Sequence, residues 1–331
     1  MSLYKDFSFH DERLPSISEI GVFEGDVVCL SAGGVIYNLS EKEGDFIKPK
    51  VLAELRTSSI FPSCIYGGVV STNNVVFSIS TKDYFNLPFS TDVSGYVWGH
   101  SGNYFFVHSR SENSKSHIYR LKGAGLAYVE TVGFKLIVVN GVLLAVSEDG
   151  ILRFADYDGE LLVGRESPVR NLYSIASLEG LNKKCILSRD GRLFLMGEGC
   201  EPVIVEILGF DDDRHIDGVV FISDDELVVS YFNKNNRKRG VAKIGCNGIV
   251  CWMMESGHSM YTFSDICFSG GFLFTNYESS IVAINVGSKD ILWMSRFKNS
   301  YISKISDMGG GRVIGYSRAV GMSAMLVEKA I

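Results

Sequence analysis

The chain has 331 residues, with 46% hydrophobic, 21% charged, 35 Gly and only 6 Pro, which excludes a disordered chain. The 32 Lys and Arg against 38 Asp and Glu give a net charge of -6, which argues against holding nucleic acid or an anionic membrane by bulk charge. No apolar run reaches the roughly 18 residues of a membrane-spanning helix. Met1 to Pro15 carries charges throughout and lacks the apolar core of a secretory signal. Cys29, Cys64, Cys185, Cys200, Cys246, Cys251 and Cys267 are scattered and odd in number, so free thiols and a cytoplasmic location are expected.

Leu3 to Phe9, LYKDFSF, reads as a first strand. Beyond it, helix-period stretches are nearly absent, and short apolar strands alternate with turns. With the strands of each unit lettered a to d from inside outward, the c strands centre on Ile36, Val76, Tyr119, Arg153, Phe194, Val241, Val282 and Met325. One eighth of the chain is about 41 residues, close to a propeller blade. Ser147-Glu148-Asp149-Gly150 and Ser188-Arg189-Asp190-Gly191 stand 41 apart, and Asp-Gly favours a type I′ hairpin. Val241-Ala242 with Trp252 recurs at the same shift as Val282-Ala283 with Trp293. The last unit offers Ile302–Ile305 as a, Arg312–Tyr316 as b and Ala324–Glu328 as c, and then the chain stops. Its missing outer strand is expected from Leu3 to Phe9, which would close the ring and cover an open edge. The predicted fold class is all-β, a single β-propeller domain over 1–331 with eight four-stranded blades. Seven blades and a stray hairpin form the alternative.

Gly240 to Trp252, GVAKIGCNGIVCW, and Ser280 to Trp293, SIVAINVGSKDILW, resemble the WD40-like and pyrroloquinoline-quinone-repeat-like propellers. The resemblance covers the chain as architecture and two blades as motif. Quinone enzymes of that class hold their cofactor with a vicinal Cys pair and a calcium site of Glu, Asn and Asp. No Cys-Cys occurs here, so no cofactor is expected and no activity is carried across.

In such a ring the b–c hairpins and d–a connectors share a face. Three b–c loops are long: Ser109–Ser116, which holds Arg110, Asn233–Arg239, and Ser317–Met322. Lys234, Arg237, Lys238 and Arg239 lie opposite a connector bearing Asp211, Asp212, Asp213 and Arg214. This pairing reads either as charge compensation or as a two-signed recognition patch for another protein. Trp98 and His100 end an inner strand and are further binding candidates, with core packing as the other reading.

Asp156-Tyr157-Asp158-Gly159 lacks the length and downstream Glu of a calcium loop and reads as a hairpin. Cys246 and Cys251 have no second ligand pair, and Gly309-Gly310-Gly311 precedes a strand rather than a helix. No catalytic residue and no metal ligand is therefore expected. The function expected is non-catalytic protein binding by a monomer, in its sharpest form an immunity protein or inhibitor that docks on a cognate toxin. Neither nucleic acid nor membrane is an expected partner. The rivals are an enzyme with a central-channel site for a carbohydrate or small metabolite, and a structural subunit of a larger assembly.

Overall fold

The computed structural model describes all residues apart from 1–2, 57–62, 67, 73–74, 87–94, 102–103, 110–114, 123–124, 140–141, 150, 167–171, 179–182, 189–192, 197–202, 208–209, 211–212, 257–261, 278, 296–301, 319–320 and 330–331. The chain opens with β1 (Tyr4–Asp11). Blade 1 contains β2 (Ile17–Phe23), β3 (Asp26–Ser31) and β4 (Val35–Asn38), then an excursion hairpin of β5 (Lys42–Glu43) and β6 (Phe46–Ile47), then β7 (Lys50–Glu54). Blade 2 is β8 (Cys64–Tyr66), β9 (Val69–Ser71), β10 (Val75–Ser78) and β11 (Tyr84–Asn86). Blade 3 is β12 (Gly95–Ser101), β13 (Tyr104–Ser109), β14 (Ser116–Lys122) and β15 (Gly125–Val132). Blade 4 is β16 (Lys135–Val139), β17 (Val142–Val146), β18 (Leu152–Tyr157) and β19 (Leu161–Glu166). Blade 5 is β20 (Leu172–Leu178), β21 (Lys183–Ser188), β22 (Leu193–Met196) and β23 (Val203–Val205). Blade 6 is β24 (Arg214–Phe221), β25 (Glu226–Asn233), β26 (Lys238–Gly245) and β27 (Val250–Ser256). Blade 7 is β28 (Ile266–Ser269), β29 (Phe272–Tyr277), β30 (Ser280–Ile284) and β31 (Ile291–Met294). Blade 8 is β32 (Lys304–Asp307), β33 (Val313–Tyr316) and β34 (Met322–Lys329), with β1 as its fourth strand.

Each of the eight predicted centres falls on the third strand of its sheet, so the count is eight rather than seven. Blades 1 to 4 form one compact unit. Blades 5 to 8, with β1 and the β5–β6 hairpin, form the other.

Burial on both faces explains the apolar runs. On β25, Leu227, Val229 and Tyr231 pack with Cys185 and Leu193 of blade 5, whereas Val228 packs with Leu273 and Val282 of blade 7. Successive side chains of a strand point to opposite faces, so a strand between two neighbours reads as continuously apolar.

The recurring Trp binds one blade to the next. Trp252 Nε1 donates to the Val286 carbonyl at 2.9 Å, and the Trp293 ring lies 5.7 Å from that of Tyr4 on β1. The two pairings differ in register: Trp252 stands opposite Lys243, but Trp293 stands opposite Ala283. The turn over 285–290 is one residue longer than that over 245–249, so residue identity repeats while pairing slips by one.

β1 completes blade 8 as the sequence predicts. It pairs antiparallel with β34 over its whole length, from Tyr4↔Lys329 to Asp11↔Met322. Its other edge is taken by β6, with Ser8 N donating to Asp45 O at 3.1 Å. Lys42 crosses β1, 4.4 Å above the Phe7 ring, to reach Glu328 at 2.5 Å. This second cover was not predicted. The other outer edges are blunted differently: β7, β15, β19, β27 and β31 carry bulges against their neighbours, and β11 and β23 are only three residues long. Both devices discourage edge-to-edge pairing with another chain.

Asp265 joins blades 7 and 8. Its Oδ2 accepts from Ile305 N at 2.7 Å, and its Oδ1 lies 3.8 Å from Lys304 Nζ. Burial pushes its carboxyl above the ordinary 3.8, and Lys304, the Ile305 and Ile266 amides and Arg318 only partly reverse that. The folded chain therefore holds this proton more tightly than the unfolded chain. The resulting stabilisation is present below 3.8 and is lost as pH rises through the raised value. Asp265→Asn keeps an oxygen for the Ile305 amide and removes the buried charge. Calorimetry should give equal melting midpoints near pH ~3.5 and a higher midpoint for the variant near pH ~7. A variant midpoint that falls relative to the native chain on going to pH ~7 would contradict this.

Candidate protein-docking surface

The b–c hairpin of blade 6 turns through Lys234-Asn235-Asn236-Arg237 after the last strand pair, Asn233↔Lys238. Three Asn side chains shape it. Asn233 Oδ1 accepts from Asn235 N at 3.1 Å, and Asn236 Oδ1 accepts from Lys238 N at 3.0 Å. Such local bonds are why Asn favours turns. Arg237 then takes a left-handed backbone with φ 57°, where a residue with a Cβ carries a penalty of about 1 kcal/mol.

The same Asn residues anchor the turn to its surroundings. Asn233 Nδ2 donates to Glu255 Oε1 at 3.1 Å, and Asn236 Nδ2 donates to Glu255 Oε2 at 2.9 Å. Asn235 Nδ2 donates to Asp213 Oδ2 at 2.6 Å, and Lys234 N donates to Asp213 O at 2.8 Å. The buried Tyr231 hydroxyl donates to Glu255 Oε1 at 3.3 Å. Burial pushes the Glu255 carboxyl up, but the Asn233, Asn236 and Tyr231 donors and the charge of Arg214 outweigh it and hold it below its ordinary range. Burial and Glu255 together push the Tyr231 hydroxyl up.

Gly240 makes room for this arrangement. A Cβ there would sit 2.5 Å from Tyr231 Cζ and 2.7 Å from the Met254 carbonyl. Gly240→Ala should therefore destabilise by about 2–3 kcal/mol in urea unfolding. An effect under about 0.5 kcal/mol would show that the ring moves aside freely.

The predicted candidates separate into two groups. Arg239 pairs with Asp217, their side chains only 21% and 11% exposed, and lies 5.6 Å over the Phe232 ring. Arg214 lies 5.8 Å over Phe210 and bonds to Tyr231. These two guanidiniums brace the blade. Lys234 and Arg237 are exposed and Lys238 is half-buried, with half-buried Asp213 beside the turn. Among the described residues, neither Arg237 nor Lys238 has an ion-pair partner. Asp217 and Glu255 were not singled out from the sequence. Asp217 is the extra residue of a bulge between Ile216 and Gly218, which breaks the alternation that pattern reading relies on.

The backbone of Trp98 and His100 lies on inner strand β12, at a bulge between Val97 and His100. Their side chains, and Arg110, Asp211 and Asp212, lie outside the described residues, as do Gly150, Arg189-Asp190-Gly191 and Cys200. Asp156 and Tyr157 end β18, and the Asp158-Gly159 turn leads to β19 with Gly159 at φ 87°, a plain hairpin. No group of three or more His, Cys, Asp or Glu among the described residues is placed to hold a metal. The six described cysteines are free thiols, and burial pushes Cys29 and Cys64 up to about 12. Among the described residues no helix is long and apolar enough to cross a membrane.

Neither a protein-family model nor a curated protein sequence matches the chain. Solved structures do. The computationally designed Ika8 protein superposes with a TM-score of 0.64 at 13% identity, over 97% of this chain and 98% of that one. The WD40 β-propeller domain of Doa1 superposes with a TM-score of 0.54 at 12% identity, over 100% of this chain and 98% of that one. The fold is an eight-bladed β-propeller. At these identities the propeller shares a fold with its neighbours, and its chemistry has to be read from its own residues.

Proposed function

We propose that this propeller is a non-catalytic docking platform for another protein, which it meets through the β25–β26 hairpin and the connector at Asp213. One observation carries the reading. The described carboxylates around the hairpin are bonded by Asn side chains and half-buried arginines, and Arg237 and Lys238 have no ion-pair partner among the described residues. The hairpin is also held in one conformation before any partner arrives, which lowers the entropic cost of docking. The narrower form is an inhibitor or immunity protein whose partner is a toxin. Steric docking on a rigid blade suffices for that role and needs no bond chemistry.

The test is capture from the source cell with the double variant Arg237→Glu plus Lys238→Glu. Capture of the partner should fall at least about tenfold, with the melting midpoint within about 2 °C of the native chain. Equal capture by both proteins would sink the assignment of the surface. For the toxin form, co-expression with the captured partner should restore growth, and the double variant should not.

A further inference from the structure

The hairpin also indicates the chemistry of its partner, an inference that rests on the docking reading above. We infer that Lys234, Arg237 and Lys238 receive a carboxylate-rich segment of the partner protein, with Arg237 as its anchor. The first ground is the division of labour around the turn. Asp213, Asp217 and Glu255 lie within reach of the hairpin and its flanking strands, and each accepts from Asn235, from Arg239, or from Asn233, Asn236 and Tyr231. The Asn amides satisfy lone pairs of Asp213 and Glu255 without neutralising them, and among the described residues neither carboxylate draws Arg237 or Lys238 into an ion pair. The donors of Arg237 and Lys238 are thus open to an outside acceptor.

The second ground is backbone conformation. Arg237 occupies a left-handed position where glycine would fit without strain. The turn holds the Arg237 backbone in this conformation, which sets where its guanidinium leaves the hairpin. A guanidinium donates in a planar fork that matches a carboxylate with two parallel bonds. The third ground is the sign of the surroundings. Among the described residues, Lys234, Arg237 and Lys238 outnumber Asp213 and Glu255 at the turn, a small patch too short for a polyphosphate backbone and suited to one or two carboxylates.

The probe is a fluorescein-labelled (Glu-Asp)6 peptide, read by fluorescence anisotropy with the full chain at low salt. Binding should weaken at least about fivefold between ~20 mM and ~300 mM NaCl, as screening shortens the reach of the charges. Arg237→Gly should weaken it at least about fivefold with no loss of melting midpoint, and Arg237→Glu plus Lys238→Glu at least about twentyfold. The control is Lys289→Glu, an exposed cation at φ 65° in the 285–290 turn of blade 7, with an expected change under about twofold. Equal loss in the control would overturn the inference, as would no binding of the peptide, or tighter binding of a dT12 oligonucleotide. A partner that crosslinks at position 235, with Arg237 in place, through a segment without acids would overturn the acidic assignment and leave the docking reading standing. Failure to capture any partner at position 235 would overturn the docking reading itself.

Discussion

A chain lacking Tyr4–Asp11 should lose its cooperative thermal transition. β1 supplies the outer strand of blade 8, and its loss strips the whole β34 register at once. Tyr4 is 3% exposed and packs edge-on against Phe274 at 5.2 Å and Phe272 at 5.8 Å. Phe7 is 8% exposed beneath Lys42. Burying two such aromatics contributes roughly 4–6 kcal/mol before backbone pairing is considered. That is a large share of the 5–15 kcal/mol typical of a folded domain. The deletion also leaves the eight-residue β34, six of whose residues are buried, as an open edge, which invites aggregation. A synthetic peptide spanning residues 1–12, added in excess, should restore the transition in proportion to its concentration. A truncated chain that melts within about 2 °C of the native one would contradict the role of β1.

Asn276→Ala should cost about 4 kcal/mol, the largest effect expected of a polar point substitution here. Asn276 is fully buried on β29. Its Oδ1 accepts from Ser264 N at 2.9 Å and Asp265 N at 3.0 Å. Its Nδ2 donates to Ser264 Oγ at 2.7 Å and to the Ile302 carbonyl of the approach to blade 8 at 3.0 Å. Alanine removes all of these at once and strands two amides and a carbonyl away from water, each worth roughly 1–3 kcal/mol. Asn276→Asp keeps the acceptors but puts a fully buried carboxylate against the Ile302 carbonyl, so at neutral pH it should be no more stable than the alanine variant in urea unfolding. A loss below about 1 kcal/mol for alanine would mean that water replaces the side chain, and the latch would be unimportant.

The architecture was legible in the sequence because its signals are local. Leu227, Val228 and Val229 are apolar on both faces, and Asp158-Gly159 turns a hairpin where Gly tolerates positive φ. The role of β1 followed from a missing strand in the last unit. The β5–β6 cover had no such signal, since strands as short as Lys42–Glu43 and Phe46–Ile47 show no period. Asn276 was equally silent: one polar residue in an apolar strand says nothing about its four partners.

The docking surface was legible as a charge cluster and illegible as a division of labour. Lys234, Arg237, Lys238 and Arg239 look alike in sequence. Only tertiary placement shows that Arg239 belongs to Asp217, while Lys234 and Arg237 face solvent. The partner acids Asp217 and Glu255 lie one on the first strand and one on the last strand of the blade, separated in sequence and joined only by the sheet.

The claim that the propeller works by docking a partner at this hairpin is tested most directly by site-specific photo-crosslinking. Benzoyl-phenylalanine is placed at position 235, an exposed position of the turn that leaves its three cations in place, and, in a second chain, at position 289, and each is irradiated in the source cell. One dominant crosslinked protein is expected from position 235, lost when Arg237→Glu plus Lys238→Glu is added, and none from position 289. Equal crosslinking from both positions, or a crosslink at 235 that survives the double substitution undiminished, would contradict it.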